Sequence, residues 1–245
     1  MRVLISGASG NVGRACMLHF ASQDWDIVGV SRSITSPIPD EWKKHNEYFR
    51  KVETHHLSLC LDIDVNHFLI NQPPFDLVIM AHGVQQPAEL GTANFIDTYY
   101  SVMDGNLTSS VFLTQALIEQ DKLNEGALIV YCSSIHSTQP RKSRGPYAIA
   151  KAGLEALTKI VAVEGAGNWR AVGLRLGQLE SDGRPAAMKG IRFSPEQLET
   201  LKGRCLTPWV KCENVAKLCL SLYGQTEISG AILDVDSGHS LNIWP

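Results

Sequence analysis

Tyr147 and Lys151 stand four residues apart in the stretch Gly145-Pro146-Tyr147-Ala148-Ile149-Ala150-Lys151. On a helix that spacing puts both side chains on one face, and Pro146 suits a first helical turn. A free phenol titrates near pH 10, too high for easy proton exchange at neutral pH. An ammonium beside it favours the phenolate, so Lys151 is expected to lower the Tyr147 pKa and make it a usable acid or base. Such a pair also arises by accident on helix surfaces, and its weight comes from context. Ser133 and Ser134 close the apolar run just upstream, at the carboxyl end of a strand, where ligands of open α/β sheets bind. A second constellation follows the first apolar run: Gly7, Ala8, Ser9, Gly10, Asn11, Val12 and Gly13, leading into a helical stretch. Glycines at such a turn let the backbone approach a pyrophosphate, and the helix N-terminus offers free N–H groups. The competing reading is a tight turn that merely needs glycine.

These residues need a sheet to position them. Seven short apolar runs are strand candidates: Arg2–Ser6, Asp26–Val30, His56–Leu61, Asp76–Ala81, Ala127–Cys132, Arg170–Arg175 and Ala231–Val235. Most are continuously apolar, as parallel strands covered on both faces are, and amphipathic stretches lie between them. The fold class is α/β, a Rossmann-type, doubly wound parallel sheet of about seven strands in three αβα layers. Pro73 and Pro74 punctuate the approach to the fourth strand, and Ser36 to Pro39 make a loop after the second. No repeat or linker divides residues 1–245, which are read as one domain. The long insertion is Asp182 to Pro208, where Ser194-Pro195-Glu196 is a good helix start.

The end of the second strand bears on the cofactor. An acidic residue there bonds a ribose 2′-hydroxyl, whereas arginine accommodates a 2′-phosphate. This sequence has Ser31 and Arg32. NADP(H) is therefore preferred, with Arg32 and Arg14 as phosphate partners, and NAD(H) is the second choice; the competing reading makes Arg32 an ordinary solvated side chain.

Taken together, the chain resembles a short-chain dehydrogenase/reductase over nearly its whole length. Tyr147 and Lys151 match the family's Tyr-x-x-x-Lys, and Ser134 falls on its serine thirteen residues earlier. Asn106, in Gly105-Asn106-Leu107-Thr108, matches the helix asparagine, and Gly105 and Asn106 are poor interior helix formers, which suits a distorted turn that holds a water. Asp62, with Ile63 beside it, matches the aspartate that contacts adenine, and Asp234 to Gly238 resembles the closing strand and turn. The resemblance implies hydride exchange between a nicotinamide and a carbonyl carbon. Tyr147 would move the proton, Lys151 would hold the nicotinamide ribose, Ser134 would bond the substrate oxygen, and Asn106 would anchor the water of a proton relay. Besides the glycine loop, Ser31 and Arg32, it implies cofactor contacts at Ala81, His82, Gly83, Gly177, Leu179 and Ser181. It also implies a homodimer or homotetramer, built through the helices that bear Asn106 and Tyr147. Val111, Phe112, Leu154 and Leu157 could supply that face or belong to the core.

Three positions depart from the family pattern. Asn11 replaces a glycine, giving Gly-x-x-Gly-x-x-Gly, a spacing closer to the branch that acts on nucleotide sugars; asparagine tolerates left-handed backbone better than most residues. Ala81-His82-Gly83 stands for Asn-Ala-Gly, and His82 is read as a packing change rather than a base. Leu176 replaces a proline before Gly177. The insertion would act as a lid over the substrate and carries Arg184, Lys189 and Arg192. The loop before Tyr147 adds His136, Gln139, Arg141, Lys142 and Arg144. A basic wall of this kind suits a carboxylated, phosphorylated or sugar-like substrate, although Arg141, Lys142 and Arg144 also read as solvated loop residues, and Gln85 and Gln86 are similarly ambiguous.

Composition sets the outer limits. Among 245 residues, 22 basic and 25 acidic side chains leave a formal charge of −3, which argues against a nucleic-acid partner. No run approaches the roughly 20 apolar residues that span a bilayer, and no secretory signal is recognisable. The six cysteines form no Cys-x-x-Cys pair, so no metal site or disulfide framework is expected, and the compartment is read as cytoplasmic. The leading function is an oxidoreductase acting on a small carbonyl or secondary-alcohol substrate. A sugar-nucleotide epimerase or dehydratase, and a regulator that senses NADP without turnover, are the alternatives.

Overall fold

Val3, Leu4 and Ile5 are all wholly buried, as an apolar run must be when it lies inside a parallel sheet covered on both faces. The computed structural model describes residues 1–32, 52–181, 184–185 and 194–241. Its strands are β1 (Arg2–Ser6), β2 (Asp26–Ser31), β3 (Val52–His56), β4 (Phe75–Met80), β5 (Leu123–Ser134), β6 (Trp169–Leu176), β7 (Leu179–Ser181), β8 (Arg184–Pro185), β9 (Val210–Lys211) and β10 (Ile232–Val235). Seven of them form one sheet in the order β10-β6-β5-β4-β1-β2-β3. All its pairings are parallel, with Ile5 opposite Gly29 on one side of β1 and opposite Ile79 on the other. The strand order reverses between β1 and β4, so their carboxyl ends open a crevice at which open α/β sheets bind ligands.

Period-two alternation sends β1 side chains to two separate cores. Val3 and Ile5 join Phe20, Trp25, Val215 and Cys219 on one face, under α1 (Asn11–Ser22), while Leu4 joins Leu69, Leu113, Leu117, Leu154 and Val161 on the other. The helices of that second face are α2 (Asp62–Ile70), α3 (Phe95–Met103), α4 (Ser109–Glu119) and α5 (Gly145–Gly165). Chain order then gives α6 (Pro195–Lys202) and α7 (Cys212–Tyr223), the latter packing with α1. Between α3 and α4 the helix widens into a π-turn, Asp104–Thr108.

Six of the seven anticipated strands lie where the apolar runs place them. The third does not: it was expected at His56–Leu61 and is found at Val52–His56, with Val30 opposite His55. This strand is the sheet edge, so it carries the polar run Val52-Glu53-Thr54-His55-His56. Leu57 and Leu59, which made the later stretch look like an interior strand, are buried as loop residues beneath α2. The helix start at Ser194 is observed: Ser194 Oγ accepts from the Gln197 amide at 3.2 Å and Gln197 Oε1 accepts from the Ser194 amide at 2.9 Å, a reciprocal cap. The loop read at Ser36 to Pro39, and Lys189 and Arg192 of the insertion, lie outside the described residues. No helix among the described residues is long and apolar enough to cross a membrane.

Candidate active site

The turn after β1 needs its glycines unequally. Gly7 has φ +70°, and a Cβ there would lie 2.7 Å from the His82 backbone; a Cβ on Gly13 would lie 2.2 Å from Gly7 O. Gly10 is less confined, with the same oxygen 3.2 Å away. Its amide donates to Gly7 O at 2.8 Å, and it caps α1 in extended backbone. Asn11 is the first residue of that helix and lies outside the left-handed region, so its tolerance of that conformation goes unused. Gly7 and Gly13 thus bring β1 and α1 close together, leaving helix N–H groups facing the crevice.

Two hollows meet there. The smaller, about 200 Å³, is lined by Gly7, Ser9, Gly10, Ser31, Arg32, Leu57, Leu59 and Cys60. The larger, about 480 Å³, is lined by Val12, Ser134, Tyr147, Lys151, Gly177 and Leu179, among others. Ala81, His82 and Gly83 belong to both, so the crevice is continuous across the carboxyl end of β4. No aspartate or glutamate lines either hollow among the described residues. Arg32 is exposed on the smaller one, and Ser31 Oγ lies 2.5 Å from Ser9 Oγ. Asp62 and Ile63 line neither hollow: they open α2 on the exposed side, where Asp62 accepts from Asn66 at 3.0 Å. Leu59 and Cys60, a few residues earlier, line the smaller hollow. Arg14 sits on the first turn of α1, likewise outside the lining.

The larger hollow gathers the expected quartet. Tyr147 and Lys151 share a face of α5, with Nζ 5.6 Å from the phenol ring centre. The Lys151 ammonium donates to Cys132 O at 2.9 Å. Burial holds the Tyr147 phenol up at about 12, with the Ser134 hydroxyl pulling the other way. The expected depression by Lys151 is therefore not observed, because Nζ is drawn to a carbonyl and desolvation dominates. Burial also lowers Lys151 itself to about 8. Asn106 is fully buried in the π-turn. Its amide nitrogen donates to Val84 O and Val102 O, both at 2.8 Å, and its Oδ1 has no partner in the protein. A Cβ on Gly83 would lie 2.5 Å from that Oδ1 and 3.4 Å from Lys151 Nζ, so both polar atoms converge on one point. Gly177 is equally confined, 2.6 Å from Asp236 Cα by the same measure. Ser181 ends β7.

His82, read from the sequence as a cofactor contact and a packing change, has a wider set of partners than that reading gave it, and Glu155 escaped the reading. His82 ties three elements: its Nδ1 is 2.6 Å from Ser6 Oγ, and its Nε2 is 2.9 Å from Ser109 Oγ and 3.1 Å from Ser110 Oγ. Ser110 Oγ already donates to Asn106 O, so Nε2–H must donate to it and Nδ1 must accept from Ser6. Burial, then the Lys151 and Arg32 charges, push this imidazole down to about 3, and it stays neutral as a brace for the π-turn. The second group is Glu155, which accepts from Ser133, Ser137 and Arg175, while Arg175 also reaches Asp234 at 2.7 Å. Desolvation pushes this carboxyl up, but hydrogen bonds from Arg175, Ser137 and Ser133 outweigh it and hold it below the usual range. Glu155 follows Lys151 by four residues, the only sequence sign that it shares the same face.

A family model described as Enoyl-(Acyl carrier protein) reductase matches residues 67–240. The chain belongs to the short-chain dehydrogenase/reductase family. Its relatives include a 3-oxoacyl-[acyl-carrier-protein] reductase, FabG, of Chlamydia trachomatis, 25% identical over 96% of this chain and 95% of that one. Another is an uncharacterized oxidoreductase, YciK, of Escherichia coli, 23% identical over 82% of this chain and 80% of that one. The fold is shared with a short-chain dehydrogenase/reductase mutant of Serratia marcescens, at a TM-score of 0.84, 18% identity and 98% and 97% coverage. It is also shared with the Thermoplasma acidophilum aldohexose dehydrogenase, at 0.82, 19% identity and 98% and 94% coverage. As a short-chain dehydrogenase/reductase the protein is an oxidoreductase acting on CH–OH or carbonyl groups, and the family implies a nicotinamide dinucleotide. The crevice fits that group: glycines approach it at one end, and a buried, unpartnered amide oxygen lies at the other.

Proposed function

We propose that this protein is an NADP(H)-dependent reductase or dehydrogenase of a small carbonyl and secondary-alcohol pair, with Tyr147 moving the proton. The observation that carries this reading is the convergence of Ser134, Tyr147, Lys151 and Asn106 Oδ1 on one cleft continuous with the glycine turn. Gly7, Gly10, Gly13 and the N-terminus of α1 would hold the pyrophosphate, and Lys151 the nicotinamide ribose. When bound, the dinucleotide supplies or accepts the hydride. Ser134 orients the substrate oxygen and Tyr147 gives it a proton in reduction. With its phenol held high, Tyr147 is protonated at neutral pH, so reduction begins with the proton in place. A water at the point beside Gly83 would join Lys151 to Asn106 Oδ1, satisfying that oxygen and returning protons to the tyrosine.

Arg32 supports the choice of NADP(H): among the described residues it has no ion-pair or hydrogen-bond partner, and no carboxylate lines its hollow. Residues 182–208 would close over the substrate as a lid of the single domain, since β7, β8 and β9 gather into a small sheet at the cleft edge. Homo-oligomers would form through α5 and its neighbours. The test is direct. Tyr147→Phe should lower turnover of a carbonyl panel about 10²- to 10⁴-fold, read at the nicotinamide absorbance, and Arg32→Ala should weaken NADPH more than NADH. Turnover that survives the first change, or a wild type preferring NADH, would refute the corresponding part.

A further inference from the structure

The large cleft has a second end, beyond Tyr147, and its chemistry is cationic. His136, Arg141, Lys142, Arg144 and His239 line it. The described residues let these groups be sorted by what each already holds. Lys142 is spent on the surface: it pairs with Glu89 at 3.5 Å and its side chain is 83% exposed. Arg141 and Arg144 have no carboxylate within ion-pair distance among the described residues. The partner of Arg141 is a ring nitrogen, His239 Nε2, at 2.6 Å.

That contact requires a neutral imidazole accepting from the guanidinium, which leaves the Nδ1 proton to point at Cys205 Sγ, 3.6 Å away. Burial, with the Arg141 charge next, lowers the His239 pKa and keeps it neutral; Asp236 opposes and Arg204 assists. His136 is likewise held down by burial and by Arg141, and its Nδ1 is buried with no partner. Its ring meets the Tyr147 ring edge-on at 6.1 Å. Arg144 caps the helix that Tyr147 enters three residues later, so helix dipole and guanidinium reinforce each other at that spot. Desolvation and then the charges of Arg204 and Arg144 lower the Arg141 pKa, and no carboxylate offsets them. Two guanidiniums that face a concave site and have no ion-pairing carboxylate among the described residues are the arrangement that receives an anion.

We infer that the substrate carries an anionic oxygen group, carboxylate or phosphate, a few bonds from its reacting carbon, received by Arg141 and Arg144 with His136 and His239 beside them. This rests on the oxidoreductase reading for its site, but the anion site itself exists independently of turnover. Arg141 and Arg144 fix which end of the substrate enters first, because an anion anchored past Tyr147 leaves the carbonyl facing Ser134.

The experiment uses full-length protein with NADPH and three matched aldehydes: 4-carboxybenzaldehyde, 4-formylphenyl phosphate and the neutral methyl 4-formylbenzoate. The expected result is a kcat/KM for at least one charged aldehyde well above that of the ester, the better of the two telling carboxylate from phosphate. In Arg141→Gln and Arg144→Gln that preference should fall ten- to a hundredfold, mostly through KM, with Arg141→Lys in between. A parallel titration of benzoate and of phenyl phosphate into the NADP-loaded protein gives a readout without catalysis. If no aldehyde is reduced but binding is present and lost in Arg141→Gln, the anion site stands and the oxidoreductase reading fails. If the ester is reduced as well as the charged aldehydes and neither anion binds, the inference is overturned. It is equally overturned if both anions bind undiminished in Arg141→Gln and Arg144→Gln.

Discussion

Tyr147 at about 12 and Lys151 at about 8 place opposite demands on the two directions of reaction. Carbonyl reduction needs the phenol protonated, which it is throughout the range below its pKa. Alcohol oxidation needs the phenolate, whose population grows as pH rises towards that value. The alcohol-oxidation rate should therefore climb steadily from pH 6 upward while carbonyl reduction stays nearly flat, as initial rates in both directions would show. A steep fall in reduction between pH 6 and 8 would contradict this protonation scheme. The sequence made the pair visible through spacing, but its electrostatics were not legible: i, i+4 spacing reports a shared face and says nothing of Cys132 O, which takes Nζ. Asn106 was readable as a helix irregularity, whereas its unpartnered Oδ1 depends on where Val84 and Val102 place their carbonyls.

Glycine spacing is a property of elements rather than of residues, and it sorts Gly13 from Gly10. Gly13→Ala should cost thermal stability and abolish cofactor binding, because its methyl group would overlap Gly7 O, while Gly10→Ala should keep most of both. Differential scanning fluorimetry with and without NADPH separates the two outcomes, and equal losses would show that the turn, not the close approach, matters. Glu155 binds α5, β5 and β6 into one unit, and Arg175 extends it to β10. The Glu155 and Arg175 side chains are 12% and 17% exposed, so removing one partner leaves a largely desolvated charge. Glu155→Gln is expected to cost about 3 kcal/mol and to lower Tm by roughly 6–12 °C. Interior strands were legible because burial on both faces leaves a continuous apolar run. The edge strand was not, since β3 needs no such run and the buried Leu57 and Leu59 imitate one.

Across the whole molecule, the −3 formal charge conceals a cleft whose described lining holds cations and no carboxylates. The outer face of α5 is unexpectedly apolar. Ile149, Ile160 and Val163 are 49%, 51% and 76% exposed, and Ala152 and Ala156 continue the same stripe. Val111, on α4, is exposed as well, whereas Leu154, also considered for an interface, is in the core. A stripe of this extent is a usual mark of association. Light scattering should return two or four times 26.9 kDa, and Val163→Glu should reduce it; a monomer at micromolar concentration would end the argument. Overall topology was legible because strand-to-helix alternation repeats along the chain, but surface exposure along α5 was not, as core and interface helices have similar apolar content.

The cleft's cationic end is sewn to the last described turn of the chain, where Gln139 donates to Ser240 O at 2.8 Å and Arg141 meets His239. Residues about a hundred positions apart thus form one wall. A change at His239 or Ser240 is then an intervention in substrate choice: chains altered at that turn would fold normally, keep their cofactor, and prefer different carbonyls.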